Sequence, residues 1–260
     1  MSSPKIGGTH RAEAVLTQVE GRVLTIWLNR PDAMNAIDSA MTSGLLDALA
    51  RLNESPELSV GVMAAHGRGY SAGMDLKEFA RSGPPKGIER LLRTGAEKPL
   101  VGAIEGFALA GGLELALICD LLVAGRSARF GLPECSVGLV PGGGGLLRLA
   151  QRLPLTVALE MIFTADPITA TQAYEYGLVS RLVDDGTALA EAVAVAQRIA
   201  RNAPLALTAC KSLVRTSHGY NEDEFWAAQR PVVAEVFRSE DAREGARAFA
   251  EKRQPEWAGR

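Results

Sequence analysis

Two glycines and two glutamates carry the chemistry most evident in this chain. Gly111 and Gly112 close the run Gly106-Phe-Ala-Leu-Ala-Gly-Gly-Leu-Glu114, and Gly131-Leu-Pro-Glu134 follows it. With no Cβ to block the approach, glycines leave backbone N–H groups open to a ligand. Glu114 falls in the first turn of a helix expected over Leu113–Leu117. A helix N-terminus offers unpaired donors and the positive end of a dipole. One backbone N–H can hold a developing oxyanion while a carboxylate moves a proton beside it. Glu134 supplies a second carboxyl group. Leu113, Leu115, Leu132 and Pro133 flank the two acids and point to partial burial of both. Taken alone, a Gly-Gly pair is better explained by tight packing of a helix on a strand.

Other motifs compete for attention and carry less. Gly142–Gly145 is followed by Leu146-Leu147-Arg148, not by the Lys-Ser/Thr of a phosphate loop, so it reads as a tight turn. Gly69-Tyr-Ser-Ala-Gly73 satisfies G-x-S-x-G, the nucleophile elbow of serine hydrolases. A triad would then need Ser71, an Asp and His218. Yet His66 directly precedes the motif, and His218 lies in a helix-ending turn. The three histidines (His10, His66, His218) and three cysteines (Cys119, Cys135, Cys210) have no ligand spacing, so no metal site is expected. Cys119 and Cys210 lie in apolar runs and are expected to be buried thiols.

The elements that must position these residues alternate. Val23–Leu28, Val60–Ala65, Leu100–Ile104 and Leu121–Ala124 read as strands, and Ser39–Asn53 reads as an amphipathic helix capped by Ser39. Arg81–Gly87 is dense in breakers and reads as a loop beside the ligand. Beyond Leu153 the pattern turns helical: Thr156–Phe163, Thr169–Tyr176, Thr187–Asn202, Pro204–Arg215, Glu222–Phe237 and Asp241–Lys252, with a short strand at Leu178–Val183. This is an α/β pattern with a helical C-terminal region, divided near residue 200.

Composition sets the outer bounds. A chain of 260 residues, 47% hydrophobic, 22% charged and with a net charge of −2, suits one large globular domain. It has no basic excess to suggest nucleic acid. Met1–His10 lacks the apolar core of a secretory signal, and Leu115–Ala124 is too short to span a bilayer. A reducing cytoplasm is the expected compartment.

Further blocks extend the picture. Leu28-Asn-Arg-Pro31 precedes Met34-Asn-Ala36, and Ser71-Ala-Gly-Met-Asp-Leu-Lys77 precedes the Gly106–Glu114 run. Phe130–Glu134, Gly138–Gly145, Ala173–Val179, Arg243-Glu-Gly245 and Phe249–Arg253 come after it. In this order, from roughly residue 15 to the end, the blocks resemble the crotonase superfamily, the enoyl-CoA hydratase/isomerase proteins. The resemblance implies a spiral of ββα units over residues 1–200 and a helical trimerisation region over residues 201–260. It implies that the Met74 and Gly111 N–H groups grip a thioester oxygen and that Glu114 and Glu134 share acid–base work on one water. It further implies an acyl-CoA substrate bound by Arg30, Ala33, Ala72, Asp75, Leu76, Lys77, Phe249 and Lys252, the last two reaching a neighbouring subunit. No cofactor beyond the CoA of the substrate, no nucleic acid and no membrane partner are implied, and the assembly is a homotrimer or a dimer of trimers. An isomerase, another acyl-CoA enzyme of this superfamily and a non-catalytic acyl-CoA-binding trimer remain open at this point. Gly111→Pro is expected to remove a donor, and Gly112→Ala to be milder.

Overall fold

The computed structural model describes residues 13–260; the expectation for Met1–His10 lies outside them. The first half alternates strand and helix: β1 (Val15–Glu20), β2 (Val23–Leu28), α1 (Ser39–Glu54), β3 (Val60–Ala65), α2 (Leu76–Ser82), α3 (Ile88–Thr94), β4 (Leu100–Ile104), β5 (Phe107–Leu109), α4 (Gly111–Ala116), β6 (Leu121–Gly125) and β7 (Arg129–Gly131). The second half is mostly helical: α5 (Gly145–Arg152), α6 (Leu155–Thr164), β8 (Ile168–Thr169), α7 (Ala170–Glu175), β9 (Arg181–Val183), α8 (Ala188–Ile199), α9 (Pro204–Ser217), α10 (Glu222–Arg238) and α11 (Glu240–Glu251). Two 3-10 turns, Pro31–Ala33 and Pro133–Val137, complete it.

Six strands form one sheet in the order β1-β2-β3-β4-β6-β9. Only β1 runs antiparallel to its neighbour. The inner strands are buried on both faces, as parallel strands usually are, and read as continuous apolar runs. One face packs on α1, α3 and α4 through residues such as Leu24, Ile26, Met63, Leu91 and Leu113. The other face, with Val60, Val62, Val101 and Val123, is covered by Ala188, Ala192, Val195 and Ala196 of α8. A second sheet, β5-β7-β8, continues the chain from the interior strands β4 and β6, and its β5 packs on α4.

Some sequence expectations need correction. β1 was not anticipated, because it is an edge strand with Thr17–Glu20 exposed and no long apolar run. Asp38, not Ser39, caps α1: its carboxylate accepts from the Met41 N–H at 2.8 Å. The Arg81–Gly87 loop is shorter than expected, since α2 continues to Ser82 before Gly83 turns at φ +73°. The strand at Leu178–Val183 shrinks to β9, with Leu178 and Val179 buried ahead of it. Cys119 is buried, but Cys210 is exposed on α9. α10 packs on α9, and α11 on α10, yet Trp226, Phe237 and Phe249 stay exposed, Phe249 at 87%.

Candidate active site

The segment Ser71–Asp75 is stitched between two parts of the chain. On one side Ser71 bridges Ala108 of β5, through Ser71 N–H to Phe107 O (3.2 Å) and Leu109 N–H to Ser71 O (3.0 Å). On the other, Ile37 donates to Gly73 O at 2.8 Å and accepts from Asp75 N–H at 3.0 Å. In such a parallel bridge the residue straddled by the pair turns its own amide the other way. That residue is Met74. Its N–H therefore faces Gly111, where a Cβ would stand 3.5 Å from Met74 N. Neither the Met74 nor the Gly111 N–H has an acceptor among the described residues.

Gly111 is held there by strain. Ala110, the residue before α4, has φ +51° and ψ −132°, a conformation that L-residues seldom adopt. Its N–H is bonded to Gly131 O at 2.9 Å, and its carbonyl accepts from Leu113 and Glu114. Gly73 has φ +104°, and a Cβ on it would stand 2.9 Å from Ala110 Cβ and 3.1 Å from Gly111 N. α4 is only six residues long, so the directed N–H itself, not a long helix dipole, is the electrostatic element. It also begins earlier than the expected Leu113. Gly112 plays another part. A Cβ there would collide with the Ser71 carbonyl oxygen and stand 2.8 Å from Ser71 C. Gly112→Ala is therefore expected to act through packing, since Gly112 is where two backbones touch.

Asn35, passed over as a functional position in the sequence, braces this corner. It is buried, with φ +52°. Its side chain donates to His66 O (2.8 Å) and Gly69 O (3.0 Å) and accepts from Arg30 N–H (2.8 Å). Ser71 Oγ donates to Asn35 O at 2.8 Å and accepts from Gly73 N–H at 3.2 Å. Fully buried and spent on the backbone, Ser71 is no hydrolase nucleophile. Its place in the quoted Met34-Asn-Ala36 block was the one available signal for Asn35.

The two carboxyl groups lie beside each other in unlike settings. Glu114, 4% exposed on α4, accepts at Oε1 from Gly143 N–H (2.7 Å) and Gly145 N–H (2.9 Å). The glycines expected to form a tight turn therefore supply the donors that hold the buried acid. Burial pushes the Glu114 carboxyl above the ordinary range, and the two N–H groups and the Arg148 charge pull the other way. Glu134 sits in the Pro133–Val137 turn. Its Oε2 is buried with no partner. Burial pushes the Glu134 carboxyl above the ordinary range, a bond to its own backbone N–H pulls the other way, and the Glu114 charge adds to the rise.

The remaining candidates are more scattered. Ala33 is half-buried in the turn Pro31–Ala33, and Ala72 is half-buried beside Met34, whose carbonyl accepts its N–H at 3.0 Å. Arg30 is paired with Asp38 (3.2 Å) and Asp75 (3.1 Å), so it is a brace between α1 and α2 more than a free cation. Its charge and the Glu78 N–H hold the Asp75 carboxyl below the usual range, the N–H more strongly. Leu76 and Lys77 are exposed at the start of α2. Phe249 and Lys252 lie at the far end of α11 and face solvent. Among the described residues no group of three or more His, Cys, Asp and Glu could hold a metal, and no helix is long and apolar enough to cross a membrane.

A paired donor corner next to two carboxyl groups can stabilise an enolate while protons move at the adjacent carbons. The comparisons with known proteins agree with that chemistry. The family model described as enoyl-CoA hydratase/isomerase matches residues 18–260. The chain is 37% identical over 256 residues to enoyl-CoA hydratase EchA19 of Mycobacterium tuberculosis, covering 94% of this chain and 96% of that protein. It is 38% identical over 247 residues to the 2,3-dehydroadipyl-CoA hydratase of Escherichia coli, covering 92% and 96%. Among solved structures, enoyl-CoA hydratase EchA1 from Mycobacterium marinum superposes with a TM-score of 0.92 at 44% identity, over 95% of this chain and all of that one. With its full-length match and its crotonase-type α/β fold, this chain belongs to the enoyl-CoA hydratase/isomerase family.

Proposed function

We propose that the protein adds water reversibly across the α,β double bond of a trans-2-enoyl-CoA, giving a 3-hydroxyacyl-CoA. The observation that carries this reading is the unlike pair of carboxyl groups next to two free N–H donors. Two N–H groups on Oε1 stabilise the Glu114 anion, and it takes a proton from water as the water oxygen attacks Cβ. Glu134 has a buried oxygen without a partner, and burial and the Glu114 charge make it hold a proton more tightly than an ordinary glutamate; in the reaction it protonates Cα. Between these events charge rests on the thioester oxygen, within reach of the Met74 and Gly111 N–H groups. Proton exchange with solvent resets the pair. The chemistry requires no cofactor beyond the CoA of the substrate.

Ala33, Ala72, Asp75, Leu76 and Lys77 would border the CoA, with Lys77 the exposed cation. Phe249 and Lys252, directed away from their own chain, would serve a neighbour's CoA. This suits a homotrimer or a dimer of trimers, with residues 1–200 as the core and residues 201–260 as the assembling region. The exposed Trp226, Phe237 and Phe249 support that reading. A cytoplasmic location fits the exposed thiols of Cys135 and Cys210. The test is loss of the enoyl-thioester absorbance of crotonyl-CoA, run beside a 3-enoyl-CoA. Water uptake by crotonyl-CoA is expected. A double-bond shift in the 3-enoyl substrate without hydration would replace this reading with an isomerase.

A further inference from the structure

Behind the wall that holds Glu114 lies a cavity of about 870 Å³, large enough for a small-molecule ligand. Gly143 is part of that wall. Its N–H donates to Glu114, its carbonyl accepts from Arg148 Nη1 at 3.1 Å, and a Cβ on it would lie 2.6 Å from Glu114 Oε2. Leu92 shares the wall. The cavity and the reacting carboxyl are thus one residue apart.

The lining is strongly cationic. Arg148, Arg152, Lys211 and Arg215 all face it, and Glu89 and Arg93 at its edge offset each other. Asp120 is the remaining acid, and it is already bound to Lys211 Nζ at 2.6 Å. Lys211 is only 8% exposed. The other partners of these cations are neutral carbonyls: Leu117 and Cys119 for Arg152, Thr94 for Arg215, and Lys98 for Lys211. Those carbonyls satisfy donors without cancelling charge. Arg152 uses only Nη2 and Arg215 only Nη1, so their remaining N–H groups have no acceptor among the described residues. The Lys211 side chain is buried, Arg148 and Arg152 are half-buried and Arg215 is exposed; like charges gathered this closely repel until an anion joins them. A carboxylate suits the planar forks of two guanidinium groups.

We propose that this cavity is a carboxylate-accepting pocket, built from Arg152, Lys211 and Arg215, for the far end of an acyl chain that reacts beside Glu114. The inference rests on the hydratase reading and names its substrate class: enoyl-CoA thioesters whose chain ends in a second carboxylate.

The experiment compares enoyl-CoA substrates of six to twelve carbons with and without a terminal carboxylate, in wild type, Arg215→Gln and Arg215→Lys. At the matching length the diacid derivative should exceed its neutral counterpart about 10- to 100-fold in kcat/KM, the range for a hydrogen bond to a charged group. Arg215→Gln should bring that ratio close to one, and Arg215→Lys should keep part of it. A second arm needs no turnover: adipate should raise the melting temperature of wild type and not of Arg215→Gln. If adipate stabilises wild type but no substrate length shows a preference, the pocket stands and its carboxylate is a free one. If adipate stabilises while no enoyl-CoA is hydrated, the hydratase reading fails and the pocket survives. With no preference and no adipate effect, the cations merely cap the ends of α3 and α4, and the proposal is overturned.

Discussion

The donor corner and the carboxyl pair, which the proposed reaction brings to the same substrate, are built in opposite ways. The corner is main chain. Met74 is aimed by the bridge from Ile37, and Gly111 by a strained Ala110 and by Gly112 pressed on Ser71. Its charge distribution is fixed by the fold and does not titrate. The pair is side chain. Its two members are nearly the same chemical group, and they differ only in what surrounds them: two N–H donors on Glu114, none on the buried oxygen of Glu134. In the proposed reaction charge stabilisation would fall to main-chain geometry, and proton movement to groups whose acidity the surroundings can set.

If that division holds, the two regions should break differently. The largest effect belongs to the pair. Glu114→Gln and Glu134→Gln keep shape and remove the titrating proton, so each should lower kcat by about 100- to 10,000-fold with little change in acyl-CoA affinity. The double variant should be scarcely worse than the poorer single, because groups that act as a unit are not additive. Steady-state turnover of crotonyl-CoA decides it: a Glu134→Gln enzyme of normal rate would make that residue structural.

Next comes Gly111→Pro. Proline is accepted at the first position of a helix; here it deletes one donor and further disfavours the strained Ala110 before it. Loss of such a donor costs about 100- to 1,000-fold in rate. A folded Gly111→Pro protein, checked by circular dichroism, that turns over near the wild-type rate would remove that N–H from the mechanism.

Gly112→Ala should act on stability instead. Overpacking of this kind costs about 1–3 kcal/mol, read as a lower melting temperature. Gly111→Ala, whose Cβ meets nothing closer than 3.5 Å, should lose less. Equal losses would mean that the two glycines share one role.

The smallest effect has the opposite sign. The Glu134 carboxyl is raised in the fold, so its contribution to stability is fully present below its unfolded value of about 4.3 and is lost as pH rises through the folded value. Removing the charge should therefore stabilise. Glu134→Gln is expected to melt higher than wild type at pH 8, with the gap closing towards pH 4. A gap that does not change with pH would place the effect in packing.

Legibility from sequence follows the same division. The burial of Glu114 and the half-burial of Glu134 were readable from their apolar flanks, and the buried strands from their continuous apolar runs. The role of Gly112 was not readable, since it depends on Ser71 from a different loop. The same holds for Arg30, whose partners Asp38 and Asp75 meet it only in the fold, and for Asn35, whose bonds reach His66 and Gly69. Cys210 misled because the apolar stretch before it on α9 is only half-buried and the thiol itself is exposed. Local pattern gives elements and reactive groups, whereas contacts between separate segments decide which of them are braces.

The attachment of Glu114 to Gly143 and Gly145 makes the acid a gauge of its surroundings. Both donors belong to the approach to α5, a stretch that also exposes Leu146 and Leu147 to whatever lies outside. Any displacement of that stretch withdraws hydrogen bonds from a buried carboxylate and weakens it as an acid. Mechanical disturbance at the surface is thereby translated into a change of proton affinity at the centre, with no moving domain in between.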